Sequence, residues 1–233
     1  MQVEGRHRAN RWRPGPLVRV VLAAVMAAPC AVEAQSATRF ALAGHGTLVA
    51  MGNAGHDLSA LGDDPATGFG ARVIYGAVPE GTLRPSGGVG GRFEILPTPW
   101  FSMGLLVSYA RQRAAVGPNQ SWRDVDVWLA ARLPVDAGPR LVRLVPYLAT
   151  PVGLSIMVGR LGGSSDARRL GWNLGALVGI EIEATEGFAV YMETGWLMRQ
   201  ARQEEQDLLG RSRLTLTSHQ FVLHLGLRGS RAS

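Results

Sequence analysis

The sequence contains no lysine, and all 24 of its basic residues are arginine. The computed isoelectric point of 10.6 therefore reflects guanidinium groups that stay protonated to very high pH. It does not reflect a large basic excess, because the formal net charge is only +6. Residues 1–34 hold Arg6, Arg8, Arg11, Arg13 and Arg19 against Glu4 and Glu33, leaving +3 for the rest of the chain. There, arginines alternate with acids instead of gathering in one run, which excludes a nucleic-acid protein. Cysteine is equally scarce: Cys30 stands alone, within the segment read below as a removed leader. A chain cleaved after Ala34 carries neither a disulfide nor a thiolate site. Beyond that leader no stretch is apolar enough for a spanning helix. What is plentiful is glycine, at 30 of 233 residues, in a length suited to one domain or two small ones.

The N-terminus has the order of a secretory signal. Its arginines precede the apolar run Val20–Ala28, and Ala31-Val32-Glu33-Ala34 offers a small-x-small cleavage site before Gln35. Even extended to Val32, the apolar core spans about 13 residues, short of the roughly 20 that cross a bilayer as a helix. The expected organisation is a signal peptide over 1–34 and a single domain over 35–233.

From Arg39 onward, period-two alternation prevails over helical periodicity. Between Trp122 and Pro134 one face carries Asp124, Asp126, Trp128, Ala130 and Arg132, and the other Val125, Val127, Leu129, Ala131 and Leu133. The same split recurs in Phe101–Ala110, Trp172–Ala184, Phe188–Leu197 and Phe221–Arg228. Each segment runs about 10–13 residues, longer than an ordinary soluble strand and close to a tilted spanning one. One face is continuously apolar; the other holds glycine, small and charged residues. Short turns at Pro97–Pro99, Asp136–Pro139 and Thr185–Gly187 alternate with longer polar stretches at Gln112–Ser121, Gly159–Leu170 and Gln200–Gly210. This parity fits a barrel with short turns at one end and long loops at the other. Lipid tolerates no open sheet edge, so such strands must close. The predicted fold is an all-β, antiparallel up-and-down transmembrane barrel of eight strands, with ten as the alternative. Seven strands are assigned over 88–96, 100–111, 122–134, 144–157, 172–184, 188–199 and 213–228. Residues 40–51 and 68–77 compete for the eighth place.

The parity assigns Arg72, Arg92, Glu94, Asp124, Asp126, Arg132, Glu181, Glu183 and Glu193 to the barrel interior. A narrow eight-stranded barrel is filled by side chains, so these charges are expected to pair with one another. Tyr109, Trp172 and Trp196 at the long-loop ends, with Phe101 and Phe188 beside short turns, make two aromatic girdles. Catalytic constellations are not found. Ser218 and His219 are adjacent on a strand and face opposite sides, so they form no nucleophile–base contact. His219 and His224 also face oppositely and make a poor metal pair, and Gly88–Phe93 leads into a strand and forms no phosphate loop.

With leader, alternation and parity together, residues 37–229 resemble the small outer-membrane β-barrels of the OmpA membrane-domain and OmpX type. The resemblance is architectural, and the usual terminal aromatic is replaced by Gly229–Ser233. It implies a bacterial outer-membrane location, contact with outer-membrane lipids, and insertion by the assembly machinery that reads an amphipathic C-terminal strand. A structural or surface-interaction role is expected, without enzymatic activity, cofactor, metal or nucleic-acid partner. A narrow pore for small or hydrophobic solutes is the alternative, and a lipid-modifying enzyme stands behind it.

Overall fold

A computed structural model describes residues 38–61, 80–116, 119–136, 143–159, 167–185, 187–207 and 210–232. The segment 1–34 expected to be a leader, the strand candidate 68–77 and Arg72 lie outside the described residues. The strands are β1 (Arg39–Leu61), β2 (Glu80–Arg84), β3 (Ser86–Thr98), β4 (Phe101–Val116) and β5 (Gln120–Arg132). They continue with β6 (Val135–Asp136), β7 (Arg143–Gly159), β8 (Ala167–Thr185), β9 (Phe188–Asp207) and β10 (Gly210–Ala232).

Eight of these close a ring of antiparallel neighbours, in the order β1, β3, β4, β5, β7, β8, β9, β10 and back to β1. The eighth strand is β1, so residues 40–51 span. The two short elements do not add to the ring: β2 bridges β1 and β4, and β6 pairs with the start of β7. The seam between β1 and β10 runs from Arg39 opposite Ala232 to Leu61 opposite Arg211, with one irregularity between Val49 and Met51.

The strands outrun their sequence-based limits, most of all at the end away from the short turns. Gln112–Val116 extend β4, Ala167–Leu170 open β8 and Gln200–Asp207 extend β9. Among the described residues, the long loops expected at Gln112–Ser121 and Gln200–Gly210 are largely strand. Polar residues ended the apolar alternation without ending the ladder, because a hydrogen-bonded hairpin persists in water once its neighbours are fixed.

Faces separate as a barrel requires. Along β5 burial alternates strictly from Trp122 to Arg132. Outward positions such as Leu42, Val89, Leu105, Val107, Val127, Leu154, Val178 and Leu225 remain exposed. An apolar surface of this extent is unstable in water and stable against hydrocarbon. Tyr109, Trp172, Phe188 and Trp196 lie on this exterior, and Phe101 is half-buried beside the Pro99–Trp100 turn. Trp100 and a stacked Phe40–Phe93 pair, 6.2 Å between centroids, add aromatic surface near the same turn.

Inside, glycine makes room for rings. A Cβ on Gly179 would collide with the Tyr147 ring, and one on Gly226 with the Tyr191 ring. At Gly91 an added Cβ would meet only ordinary van der Waals contact. Overpacking a filled interior costs roughly 1–3 kcal/mol. Gly179→Ala is therefore expected to destabilise the barrel by that amount in urea titrations in lipid vesicles, and Gly91→Ala to leave it nearly unchanged. On the exterior, Leu105 is the middle one of the five outward residues from Phe101 to Tyr109. Leu105→Arg is expected to cost about 2–4 kcal/mol in the same titration, the penalty for a cation near the bilayer midplane. A neutral result would place that face in water.

Candidate functional site: the barrel interior

The inward residues of the eight ring strands meet in two polar layers. The layer nearer the short turns contains Arg92 and Glu94 on β3, Arg132 on β5, Glu181 on β8, Glu193 on β9, and His224 and Arg228 on β10, all buried. Arg92 Nε donates to Glu94 Oε1 at 2.5 Å and its Nη1 to Glu193 Oε2 at 3.1 Å. Arg132 donates to Glu181 at 2.7 Å and stands 3.6 Å from Glu94. Arg228 donates to Glu181 at 2.6 Å and stands 3.8 Å from Glu94. Three arginines thus face three glutamates, and the formal charge closes to zero.

Aromatic rings complete this layer. The Arg92 guanidinium lies 4.0 Å from the Trp128 ring centroid and 4.7 Å from that of Tyr191, a geometry that favours a desolvated cation. Tyr147 Oη donates to Glu193 Oε2 at 2.6 Å, and His224 Nδ1 lies 2.7 Å from Glu193 Oε1. His45 on β1 stacks on His224 at 4.5 Å, with its Nδ1 3.0 Å from the Tyr191 hydroxyl. Ligand-capable atoms of His45, Glu193 and His224 fall within 4.8 Å of one another. Both Glu193 oxygens, however, are already engaged by Arg92, Tyr147 and His224.

The second layer lies further from the short turns. Arg199 on β9 donates through Nε and Nη2 to Asp124 Oδ2, at 2.9 and 2.7 Å. The Ser155 hydroxyl donates to Asp124 Oδ1 at 2.6 Å, and Asn173 donates to Asp126 at 2.7 Å. Above them Gln112 Oε1 accepts from Trp122 Nε1 at 2.6 Å, and from Ser218 and Gln220 at 3.1 Å each. Between the layers remains a void of about 10 Å³ beside Asp124, Asp126 and His224, enough for roughly one water. At the short-turn end a shallow pocket of about 140 Å³ opens among Arg39, Arg132, Arg143 and Glu183.

Of the interior residues assigned from parity, Arg92, Glu94, Arg132, Glu181 and Glu193 come together in one layer, and Asp124 and Asp126 in the other. Glu183 joins neither. It sits at the rim with a quarter of its side chain exposed, 3.7 Å from Arg143, because β8 has reached the barrel end there. The sequence-predicted network lacks His45, Tyr147, Arg199, His224 and Arg228, although all five fall within the assigned strands or the candidate 40–51; their signal is the same inward parity that places the others. Ser218 is buried against Gln112, whereas His219 faces outward and stacks on Trp196 at 5.5 Å, so the two side chains are on opposite sides of the wall.

No protein-family model and no curated protein matches the chain. Solved structures do. The outer-membrane protein OprG of Pseudomonas aeruginosa aligns over 85% of this chain and 97% of its own, with 11% identity and a TM-score of 0.55. The fold is that of the small outer-membrane β-barrels. Neisserial surface protein A aligns over 82% of this chain and 96% of its own, at 12% identity and a TM-score of 0.46. The outer-membrane protein AlkL aligns over 87% of this chain and 95% of its own, at 13% identity and a TM-score of 0.47.

Removing one member of a buried ion-pair network leaves its partners uncompensated, at about 3–5 kcal/mol. Glu193→Ala strands Arg92, Tyr147 and His224 together and is expected to show that full loss in unfolding titrations. Glu183→Ala, at a half-solvated rim pair, is expected to cost less than about 1 kcal/mol. Equal losses at the two positions would contradict the separation of rim from network.

Proposed function

We propose that the protein is a structural, surface-interaction barrel of the outer membrane, closed to solutes and without catalytic chemistry of its own. The observation that carries this reading is the filled lumen. Arg92, Glu94, Arg132, Glu181, Glu193 and Arg228 cross it as direct side-chain pairs, with Trp128, Tyr147 and Tyr191 packed between them. The void between the layers admits about one water and no solute. Interaction chemistry then falls to the outer end, where β1 and the β9–β10 hairpin continue beyond the apolar band as paired strands. Contact with outer-membrane lipids and insertion by the assembly machinery, through the alternation of Phe221–Leu227, belong to the same proposal.

Purified protein, shown folded by its shifted migration in unboiled gels, would be reconstituted into planar bilayers and into liposomes for swelling assays. Neither steady conductance nor solute-dependent swelling above protein-free controls is expected. Reproducible single-channel steps, or swelling with small sugars, would replace this reading with that of a narrow pore.

A further inference from the structure

Arginine is distributed unequally over the outside of the wall. On β4 the outward sequence is Phe101, Met103, Leu105, Val107, Tyr109, and then Arg111 and Arg113. On β5 it descends through Leu129, Val127 and Val125 to Arg123. On β2, Arg84 faces outward beside buried Leu83. All four arginines are exposed, and β4 and β5 each change from apolar to cationic within two residues.

Their registers bring them together. Arg84 and Arg113 are direct cross-strand partners between β2 and β4. Arg111 follows Arg113 on the same face, and opposite it stands Ser121, two positions from Arg123. Diagonal neighbours of this kind lie about 7–8 Å apart. Like charges directly opposite in an antiparallel pair destabilise it. Among the described residues no hydrogen bond or ion pair engages these four guanidiniums, and the acid whose described side chain faces outward at this end, Asp57, stands on β1. The same row continues through Val158, opposite Ser121, to Arg168 on β8, opposite Val158.

We infer that Arg84, Arg111, Arg113 and Arg123 form a binding site for the phosphate groups of an outer-leaflet glycolipid. Three features select this ligand. The patch begins at the first outward position above the apolar band, the depth of lipid headgroups. It faces sideways into the membrane plane, where a lipid bound by its phosphates also covers Tyr109 and Val107 with its chains. It lies at the end away from the short turns, which in this architecture is the external end. Guanidinium forks match phosphate oxygens in paired hydrogen bonds and keep their charge at any membrane pH. An anion between Arg84 and Arg113 also converts a repulsive register pair into a bridged one. The orientation rests on the outer-membrane reading above; the lumen plays no part in it.

The test is retention of bis-phosphorylated lipid A by the folded full chain in nonionic detergent, counted by native mass spectrometry. Dephosphorylated lipid A and inorganic phosphate serve as comparison ligands. Bis-phosphorylated lipid A is expected to be retained at least about tenfold better than the dephosphorylated form, and the fourfold variant Arg84→Gln, Arg111→Gln, Arg113→Gln, Arg123→Gln is expected to lose that preference. Arg231→Gln, an outward arginine at the opposite end, is expected to leave it unchanged. Unaltered retention by the fourfold variant, equal loss in Arg231→Gln, or displacement of the lipid by an equal concentration of inorganic phosphate would each overturn the assignment. Should the fourfold variant fail the gel-shift test for folding, the pair Arg84→Gln, Arg113→Gln makes the same comparison. A conducting barrel that still shows the preference would overturn the closed-lumen reading and leave this site standing.

Discussion

Hydrocarbon offers no hydrogen-bond partner, so every backbone amide and carbonyl in the wall must find one within the wall. That requirement makes the β1–β10 seam the interaction on which the rest depends. Its ladder joins the first and last described strands from Arg39 to Leu61, and without it two long edges would face lipid unpaired. Closure in turn fixes what each side chain meets. Once eight strands form a ring, the outward positions have only lipid and the inward positions have only one another.

The interior answers that confinement with charge balance instead of apolar packing alone. Two pairs of the layer nearer the short turns connect strands that are not neighbours in the wall: Arg92 with Glu193 joins β3 to β9, and Arg132 with Glu181 joins β5 to β8. They brace the cross-section, which the ladder by itself does not. Buried ion pairs of this sort contribute little net stability against an apolar filling, yet they are intolerant of losing a single member. Arginine suits the role better than lysine, since a planar fork can serve two carboxylates and stack on Trp128 and Tyr191 together.

Much of this was legible in the sequence because a half-buried strand writes its two environments in alternation. Trp122–Pro134 reads correctly down to Trp128 facing inward, a position that composition alone would have sent to the lipid. Where the alternation lost its apolar half, as at Gln112–Val116 and Gln200–Asp207, strand was mistaken for loop; pairing there depends on the neighbouring strand and leaves little local trace. The choice of β1 for the eighth strand was similarly beyond local pattern, since it is decided by partnership with β3 and β10. In the site, parity placed carboxylates such as Glu94 and Glu181 inside but could not say which arginine each would meet. The His45–His224 stack joins residues from opposite ends of the described chain, a contact that appears only on closure.

The ring has one further property. Arg39 and Ala232 are paired neighbours at the same end of the barrel, so the chain returns to where its first strand began. Topologically the seam differs from the other seven interfaces only in lacking a covalent turn. A cyclic order of strands has no intrinsic first member. Joining these two ends and opening the chain at the Pro99–Trp100 turn would yield a permuted protein with all eight ladders and both polar layers intact. The architecture thus separates the direction in which the chain is written from the circle that holds it together.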